Sequence, residues 1–381
     1  MRAAVNQIYG RAKAIFGEDK AGLLHSDADV FLLGDGGEEQ ANLKAYDLAR
    51  QLAFPVIIST GDQFFPYALR PPGYEKIYAT FSYSRLVIDE VQAYEPRAAA
   101  IVVKFIEDIV RMGGKFLLMT ATLPEFVRKE IKDVIRDKNV EEINLYEEKK
   151  QDFQTIKKHK VRIELIENSA SEGKIDFIVP DEKIKDVLVK AKEGKRVLVI
   201  ANTVKQAQKI FEKLEQHIQS DGNFSALKSK IWLLHSRFTL DDRKNHEETL
   251  VSEFSNPKPQ NELEGKILVA TQVVEASLDI DADILFTEIT PMDAFVQRLG
   301  RVLRRYGPMT SPDNISSLSE PNVSVWVFRN GLQSGRGYVY DQELILLTLK
   351  LLKDKSTNQI GQNAKEWLEQ KRKVPGVTIP S

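Results

Sequence analysis

Two adjacent carboxylates, Asp89 and Glu90, stand at the exit of the apolar run Leu86-Val87-Ile88. One such carboxylate can hold Mg²⁺ through water while its neighbour orients a water that attacks a γ-phosphate. Gln92, two residues on, is placed to sense that phosphate. A solvated acidic strand end is the plainer alternative. Thr120 and Thr122, in Leu118-Met119-Thr120-Ala121-Thr122-Leu123-Pro124, offer two hydroxyls that could bridge a phosphate-sensing site to a neighbouring domain. They could equally cap a helix opening at Pro124. In Ile267–Asp283 an apolar run is followed by Thr271, Gln272, Glu275 and Asp279. Downstream, Gln297, Arg301 and Arg304 fall three and four apart, so a helix would carry them on one face. Arginines there, with Gly300 permitting close approach, suit a phosphate across a cleft. A merely solvated basic face would give Gln297 and Gly300 no role.

These residues need strands that end where they stand. Short apolar runs alternate with amphipathic stretches along the chain, which predicts an α/β fold of parallel sheets with helices on both faces. In the first half the expected strands are 55–60, 85–89 and 115–120, with helices over 98–112 and from Pro124 to about Lys138. Gly113-Gly114 reads as a helix stop. The charged, aperiodic stretch from about Glu141 to Lys160 is the expected domain boundary. Strands are then predicted at 161–166, 196–201, 231–235, 266–270, 284–287 and 323–328, with a clear helix from Val204 to about Gln219. Met309–Glu320 reads as a loop, and Asp341–Lys353 as a helix before a polar tail. Two consecutive α/β units of similar size are the expectation. In open parallel sheets, ligands sit at the carboxyl ends of strands, where the residues above would lie.

Composition sets bounds. The chain has 381 residues, 42% hydrophobic and 29% charged, and 54 Lys+Arg against 55 Asp+Glu leave a net charge of −1. Gripping nucleic acid by charge alone needs a basic excess, so that mode is excluded. Binding phosphates through backbone amides and a few placed side chains is not. The absence of cysteine excludes disulfides and cysteine-ligated zinc. No apolar run approaches the length of a membrane span, and the N-terminus is not a signal peptide, so a cytoplasmic protein with no membrane partner is expected.

Order matters more than any one motif. In sequence the chain carries ISTGDQ, VIDEVQAY, LMTATLP, VLVIANTVKQAQ, LLHSRFTLDDR, ILVATQVVEASLDID and DAFVQRLGRVLRR. This series resembles superfamily 2 helicase motifs Ib, II, III, IV, IVa, V and VI. Its flavour resembles the CRISPR-associated DExD/H-box helicase of type I systems, over roughly Arg2 to Phe328. The resemblance implies two tandem RecA-like domains of the P-loop NTPase type, 1–145 and 161–330, joined by a linker at 146–160 and followed by a helical tail at 331–381. It implies an ATP-dependent single-stranded DNA helicase of antiviral defence, using ATP and Mg²⁺ and recruited by the Cascade surveillance complex. Asp89 then serves as the Mg²⁺ carboxylate, Glu90 orients water, and Gln92 stands where many relatives have His. Thr120 and Thr122 are implied coupling hydroxyls. Arg301 and Arg304 are implied arginine fingers with Gln297 in support, each finger worth about 10³–10⁵ in turnover. Glu275 and Asp279 would link nucleotide to nucleic acid. Implied nucleic-acid contacts are Thr60, Asp62 and Gln63 in the first domain. Asn202, Thr203, Ser236, Arg237, Thr271 and Gln272 are their counterparts in the second.

The chain departs from the family in two respects. The phosphate loop G-x-x-x-x-G-K-[ST] is absent: Gly34-Asp35-Gly36-Gly37 lacks the lysine, and Gly113-Gly114-Lys115 lacks the leading glycine and is followed by Phe116. Since the first residues resemble the end of motif Ia, the expectation is a first domain incomplete at its N-terminal side. No His-Asp (HD) dipeptide of a nuclease occurs. A separate chain carrying the Walker A loop and HD nuclease would complete the motor. The competing readings are an ATP-inert module that binds nucleic acid or Cascade, and a helicase of another superfamily 2 branch acting on RNA.

Overall fold

The computed structural model describes residues 2–34, 39–94, 96–135, 140–151, 158–168, 170–171, 174–255, 262–276, 278–304, 320–335 and 337–354. The chain divides into two compact units, Met1–Asn144 and Leu145–Ser381. The second takes in the stretches expected as linker, 146–160, and tail, 331–381. No helix among the described residues is long and apolar enough to cross a membrane.

In the first unit, β1 (Ala21–Leu24) pairs in parallel with β2 (Val56–Ser59), and β3 (Arg85–Asp89) with β4 (Lys115–Met119). The register sets Asp89 opposite Met119, so both strands exit at one level. Helix Pro96–Arg111 supports them. Its Val102, Phe105, Ile106 and Ile109 recur at i, i+3, i+4 and i+7 and are fully buried, the stripe a core-facing helix requires. Leu86 and Ile88 of β3 join that core, while Val87 and Leu117 on the opposite pleat are exposed. Helix and β4 are joined through Gly113, in the left-handed region at φ +96°. A Cβ on Gly114 would lie 2.2 Å from the Phe81 carbonyl, so this corner closes only around glycine.

In the second unit six parallel strands run in the order β5-β12-β11-β8-β10-β9. They are β5 (Val161–Ile166), β8 (Arg196–Ile200), β9 (Ile231–Leu234), β10 (Lys266–Ala270), β11 (Ile284–Glu288) and β12 (Val323–Phe328); β6 (Ala170–Ser171) and β7 (Lys174–Ile175) form a separate hairpin. Alternate residues enter different cores. Leu198, Ile200, Leu268 and Leu285 belong to one, and Val197, Val199, Ile267 and Phe286 to the other. Burial on both faces is why these strands read as continuous apolar runs. The fold is thus α/β with parallel sheets in both units.

Several elements differ from the sequence reading. The helix predicted from Pro124 to Lys138 covers Glu125–Val134, and residues 136–139 are outside the described set. Of the expected loop Met309–Glu320, only Glu320 is described, and the tail beyond Asp354 is not. β1 and helices Arg2–Phe16, Ala28–Gly34 and Glu39–Arg50 were not anticipated.

Candidate functional site

In the first unit, β3 delivers Asp89 and Glu90 to its carboxyl end. Asp89 is exposed and Glu90 half-buried. Glu90 adopts the left-handed conformation, φ 57°, which costs on the order of 1 kcal/mol or more in a non-glycine residue. Its amide is anchored to the Met119 carbonyl at 3.0 Å. The twist leads into a single 3₁₀ turn, Val91–Ala93, which folds the Gln92 side chain back. Gln92 Nε2 donates to the Glu90 carboxylate, and the Thr120 hydroxyl donates to Gln92 Oε1. Thr120 Oγ1 in turn accepts from the Thr122 amide at 3.1 Å. One continuous chain of hydrogen bonds therefore joins the acidic exit of β3 to the hydroxyl exit of β4. Gln92 is 8% exposed, so its amide is held by these partners rather than by solvent. A carboxamide bridging a carboxylate and a hydroxyl carries geometry, not protons.

Asp89 is the group here that water and a cation can reach. Mg²⁺ commonly binds through one or two carboxylates, with waters and substrate phosphates completing the shell, and the exposed Asp89 suits that mode. A self-contained cage is another matter: among the described residues no group of three or more His, Cys, Asp or Glu could hold a metal.

Beyond β2, Thr60 precedes a 3₁₀ turn, Gly61–Gln63. Asp62 is exposed and bonded to Gln63 Nε2 at 3.0 Å. Thr60 itself is 6% exposed, and its hydroxyl is buried without a hydrogen-bond partner.

The second unit is organised around a residue the sequence reading passed over. Arg298 is fully buried. Its Nε donates to Glu275 at 2.7 Å, Nη1 to Thr287 at 2.6 Å, and Nη2 to Asn202 at 2.9 Å and Tyr340 at 3.0 Å. Tyr340 also donates to Glu275 at 3.1 Å. Burial alone would lower the Arg298 pKa, but Glu275 and Tyr340 hold it above the usual range. One guanidinium thus fastens the segments after β8 and β10 and the end of β11 itself to helix Met292–Leu299, using the fork that lysine lacks. Glu288, at the end of β11, accepts from the Asn202 amide at 2.5 Å. Complete burial pushes its pKa up to about 7, against the pull of that amide and of Arg298.

This network corrects the expectation for Asn202. Its side chain is fully buried, with Nδ2 donating to the Ile289 and Gln333 carbonyls at 2.8 Å each and Oδ1 taken by Arg298. Asn202 fastens strand ends and has nothing left to offer a nucleic acid. Gln272 reaches back to the Asn202 carbonyl at 2.8 Å, Thr203 caps helix Val204–Ser220, and Thr271 is buried. Ser236 and Arg237 are exposed after β9. Beside them His235 stacks on Phe238, ring centroids 4.4 Å apart. Burial lowers its pKa, with Arg237 adding to the effect.

The shared helical face of Gln297, Arg301 and Arg304 is also corrected. The helix ends at Leu299, and Val302 forms a parallel bridge with Ala282. Arg301 and Arg304 therefore sit on the turn after the helix. The Arg301 guanidinium donates to the Glu275 carbonyl. Arg304 bonds Asp281 through its amide at 3.0 Å and pairs with Asp279 at 3.2 Å. What gathers the two arginines is the 275–283 segment, which brings Glu275 and Asp279 with them. Helical spacing sets Arg298 toward the side of Phe295, Leu299 and Val302 rather than with Gln297, Arg301 and Arg304, a feature the sequence reading did not use. A charge on an apolar helix side was the signal available for it.

Residues 193–307 match the family model described as CRISPR-associated nuclease/helicase Cas3, C-terminal. The chain is 27% identical over 368 residues to a CRISPR-associated nuclease/helicase Cas3 of Methanothermobacter thermautotrophicus, covering 92% of this chain and 39% of that protein. In fold it is similar to the crystal structure of T. fusca Cas3, with TM-score 0.73 and 21% identity over 97% of this chain and 45% of that one. It is also similar to a chain in a CRISPR RNA-guided surveillance complex, pre-nicking, with TM-score 0.64 and 19% identity over 96% and 46%. The chain spans less than half the length of these relatives.

Proposed function

We propose that this chain, a member of the CRISPR-associated Cas3 helicase family of type I systems, is the two-unit core of an ATP-driven single-stranded DNA motor of antiviral defence. The reading is carried by the chain of hydrogen bonds from Glu90 through Gln92 to Thr120. A strand-end carboxylate pair could serve many purposes. One locked through an amide to the hydroxyl of the next strand suits relaying the state of a bound phosphate.

In this proposal Asp89 holds Mg²⁺ through water, and Glu90 orients the attacking water while Gln92 fixes its carboxylate. When bound, Mg²⁺ supplies charge neutralisation at the β- and γ-phosphates. Thr120 and Thr122 carry the displacement of Gln92 to the end of β4. Arg301 and Arg304, with Gln297 in support, stabilise the charge of the transferring phosphoryl group, and Glu275 and Asp279 hold them in place. Thr60, Asp62, Gln63, Thr203, Ser236, Arg237, Thr271 and Gln272 supply backbone-directed contacts to single-stranded DNA, which let a motor step without reading sequence.

None of the 381 residues forms G-x-x-x-x-G-K-[ST]. The proposal therefore assigns the phosphate grip to residues other than these, on the same polypeptide or a separate chain. It assigns the nuclease activity named for the relatives in the same way, because no His-Asp dipeptide is present. Recruitment by a Cascade-type surveillance complex is the partner this reading favours, from its similarity to a chain of such a complex.

The test has two parts. The reading expects a GxxxxGK[ST] coding sequence directly upstream or in a neighbouring gene. It also expects DNA-stimulated phosphate release only when that segment accompanies the 381 residues. Turnover by the 381 residues alone would contradict the external grip. Single-stranded DNA binding with no turnover even when the segment is supplied would favour an ATP-inert binding module. Preference for RNA in competition would favour another helicase branch.

A further inference from the structure

The Val91–Ala93 turn has a second attachment, on the side away from Thr120. Tyr94 closes the turn through its amide, which donates to the Val91 carbonyl at 3.2 Å. Its ring meets Phe65 edge-on with centroids 5.6 Å apart. Its hydroxyl lies against Gly61; burial and the neighbouring Asp62 charge raise its pKa overall, while the Gly61 amide pulls it down. A Cβ placed on Gly61 would stand 2.1 Å from Tyr94 Oη and 2.3 Å from the Phe65 ring. The Gly61–Gln63 turn thus lies directly on the phenol, at a distance only glycine permits. The Thr60 hydroxyl at the head of that turn is buried and unpartnered, while the turn itself is closed by the Gln63 and Phe64 amides on the Thr60 and Gly61 carbonyls.

One residue separates Gln92 from Tyr94, and both belong to a turn closed by its own hydrogen bond. The two side chains cannot move independently. On one side Gln92 grips Glu90 and Thr120; on the other Tyr94 grips Gly61. We propose that Tyr94 is a positioning residue through which the Glu90–Gln92–Thr120 chain sets the conformation of the loop Thr60–Gln63. The loop's use as a nucleic-acid contact rests on the function proposed above, but the mechanical link does not.

The test is hydrogen exchange on the full 381-residue chain, read at the amides of Gly61–Phe64. Tyr94→Phe keeps the ring and its contact with Phe65 and removes only the hydroxyl. Gly61, which packs directly on that hydroxyl, should then exchange severalfold faster. Gln92→Ala should also speed exchange in the loop, although Gln92 does not touch it. In the double variant the Gln92→Ala effect should vanish, because it acts through the hydroxyl already removed. Unchanged Gly61 exchange in Tyr94→Phe overturns the link, as do additive effects in the double variant. A parallel titration with a labelled single-stranded oligonucleotide reads the consequence, and Tyr94→Phe should weaken binding severalfold. Altered exchange with unaltered binding overturns the coupling role. If the parent chain fails to bind single strands, the proposed function fails, and the exchange result alone decides the link.

Discussion

Arg298 and Glu275 form a salt bridge of 2.7 Å in the interior of the second unit, with 0% and 9% of their side chains exposed. A buried pair of this kind contributes little over an apolar substitute, but losing one partner strands the other. Arg298→Ala should destabilise the second unit by about 3–5 kcal/mol. Arg298→Lys should recover only part, because an ammonium cannot reach Glu275, Thr287 and Asn202 together. The first unit contains no tryptophan, while Trp232 and Trp326 lie in the second, so the urea midpoint of tryptophan fluorescence reads the second unit out. A midpoint within error of the parent would contradict the network.

Glu288 sets a pH dependence whose sign follows from burial. Its folded pKa is raised from the ordinary 4.5 to about 7, so the folded state binds the proton more tightly than the unfolded one. The stability it contributes is full below about pH 4.5 and is lost as pH rises through 7. Glu288→Gln retains an acceptor for the Asn202 amide and cannot ionise. The parent's tryptophan-detected midpoint should therefore fall between pH 5 and 7.5 more than that of the variant. Parallel profiles for the two proteins would contradict this assignment.

Asn202 and Arg237 should separate cleanly. Asn202→Ala removes two donors and one acceptor from the interior, and should lower the urea midpoint, with folded protein binding single-stranded DNA as before. Arg237→Ala should leave the midpoint unchanged, weaken single-stranded DNA binding uniformly across sequences, and reduce the salt slope by about 1. The reverse pattern would restore Asn202 as a contact residue.

Much of the fold was legible, for physical reasons. β8 and β10 are buried on both faces, so they appear as unbroken apolar runs, and the chemistry stands at their exits. β1 escaped because Ala21-Gly22-Leu23-Leu24 is short and half of it is small. The helix after β11 was overextended because Gln297, Arg301 and Arg304 keep helical spacing. The Val302–Ala282 bridge that ends it is a tertiary contact no local pattern displays. Asn202 and Arg298 show the same limit within the site. Their residue types suggested contact with a ligand or nothing at all, and only burial shows that they fasten loops to one another.

Arg301 and Arg304 are joined to the 275–283 segment by bonds that stability measurements should barely notice. The Arg304–Asp279 pair is roughly two-fifths exposed on both sides, so Arg304→Ala should cost under about 1 kcal/mol. In the motor supplied with its phosphate grip, Arg301→Ala should reduce DNA-stimulated phosphate release by about 10³-fold or more without shifting the urea midpoint by a comparable amount. Near-parent turnover would remove Arg301 from the catalytic set.

These 381 residues should grip single-stranded DNA through the positions named. The most direct measurement is a fluorescence-anisotropy titration of a labelled single-stranded oligonucleotide with the whole chain, comparing the parent, Gln63→Ala and Arg237→Ala. Saturable binding that tolerates changes of base sequence, and that each substitution weakens without loss of folding, is the predicted result. Absence of saturable binding, or binding indifferent to both substitutions, would contradict it.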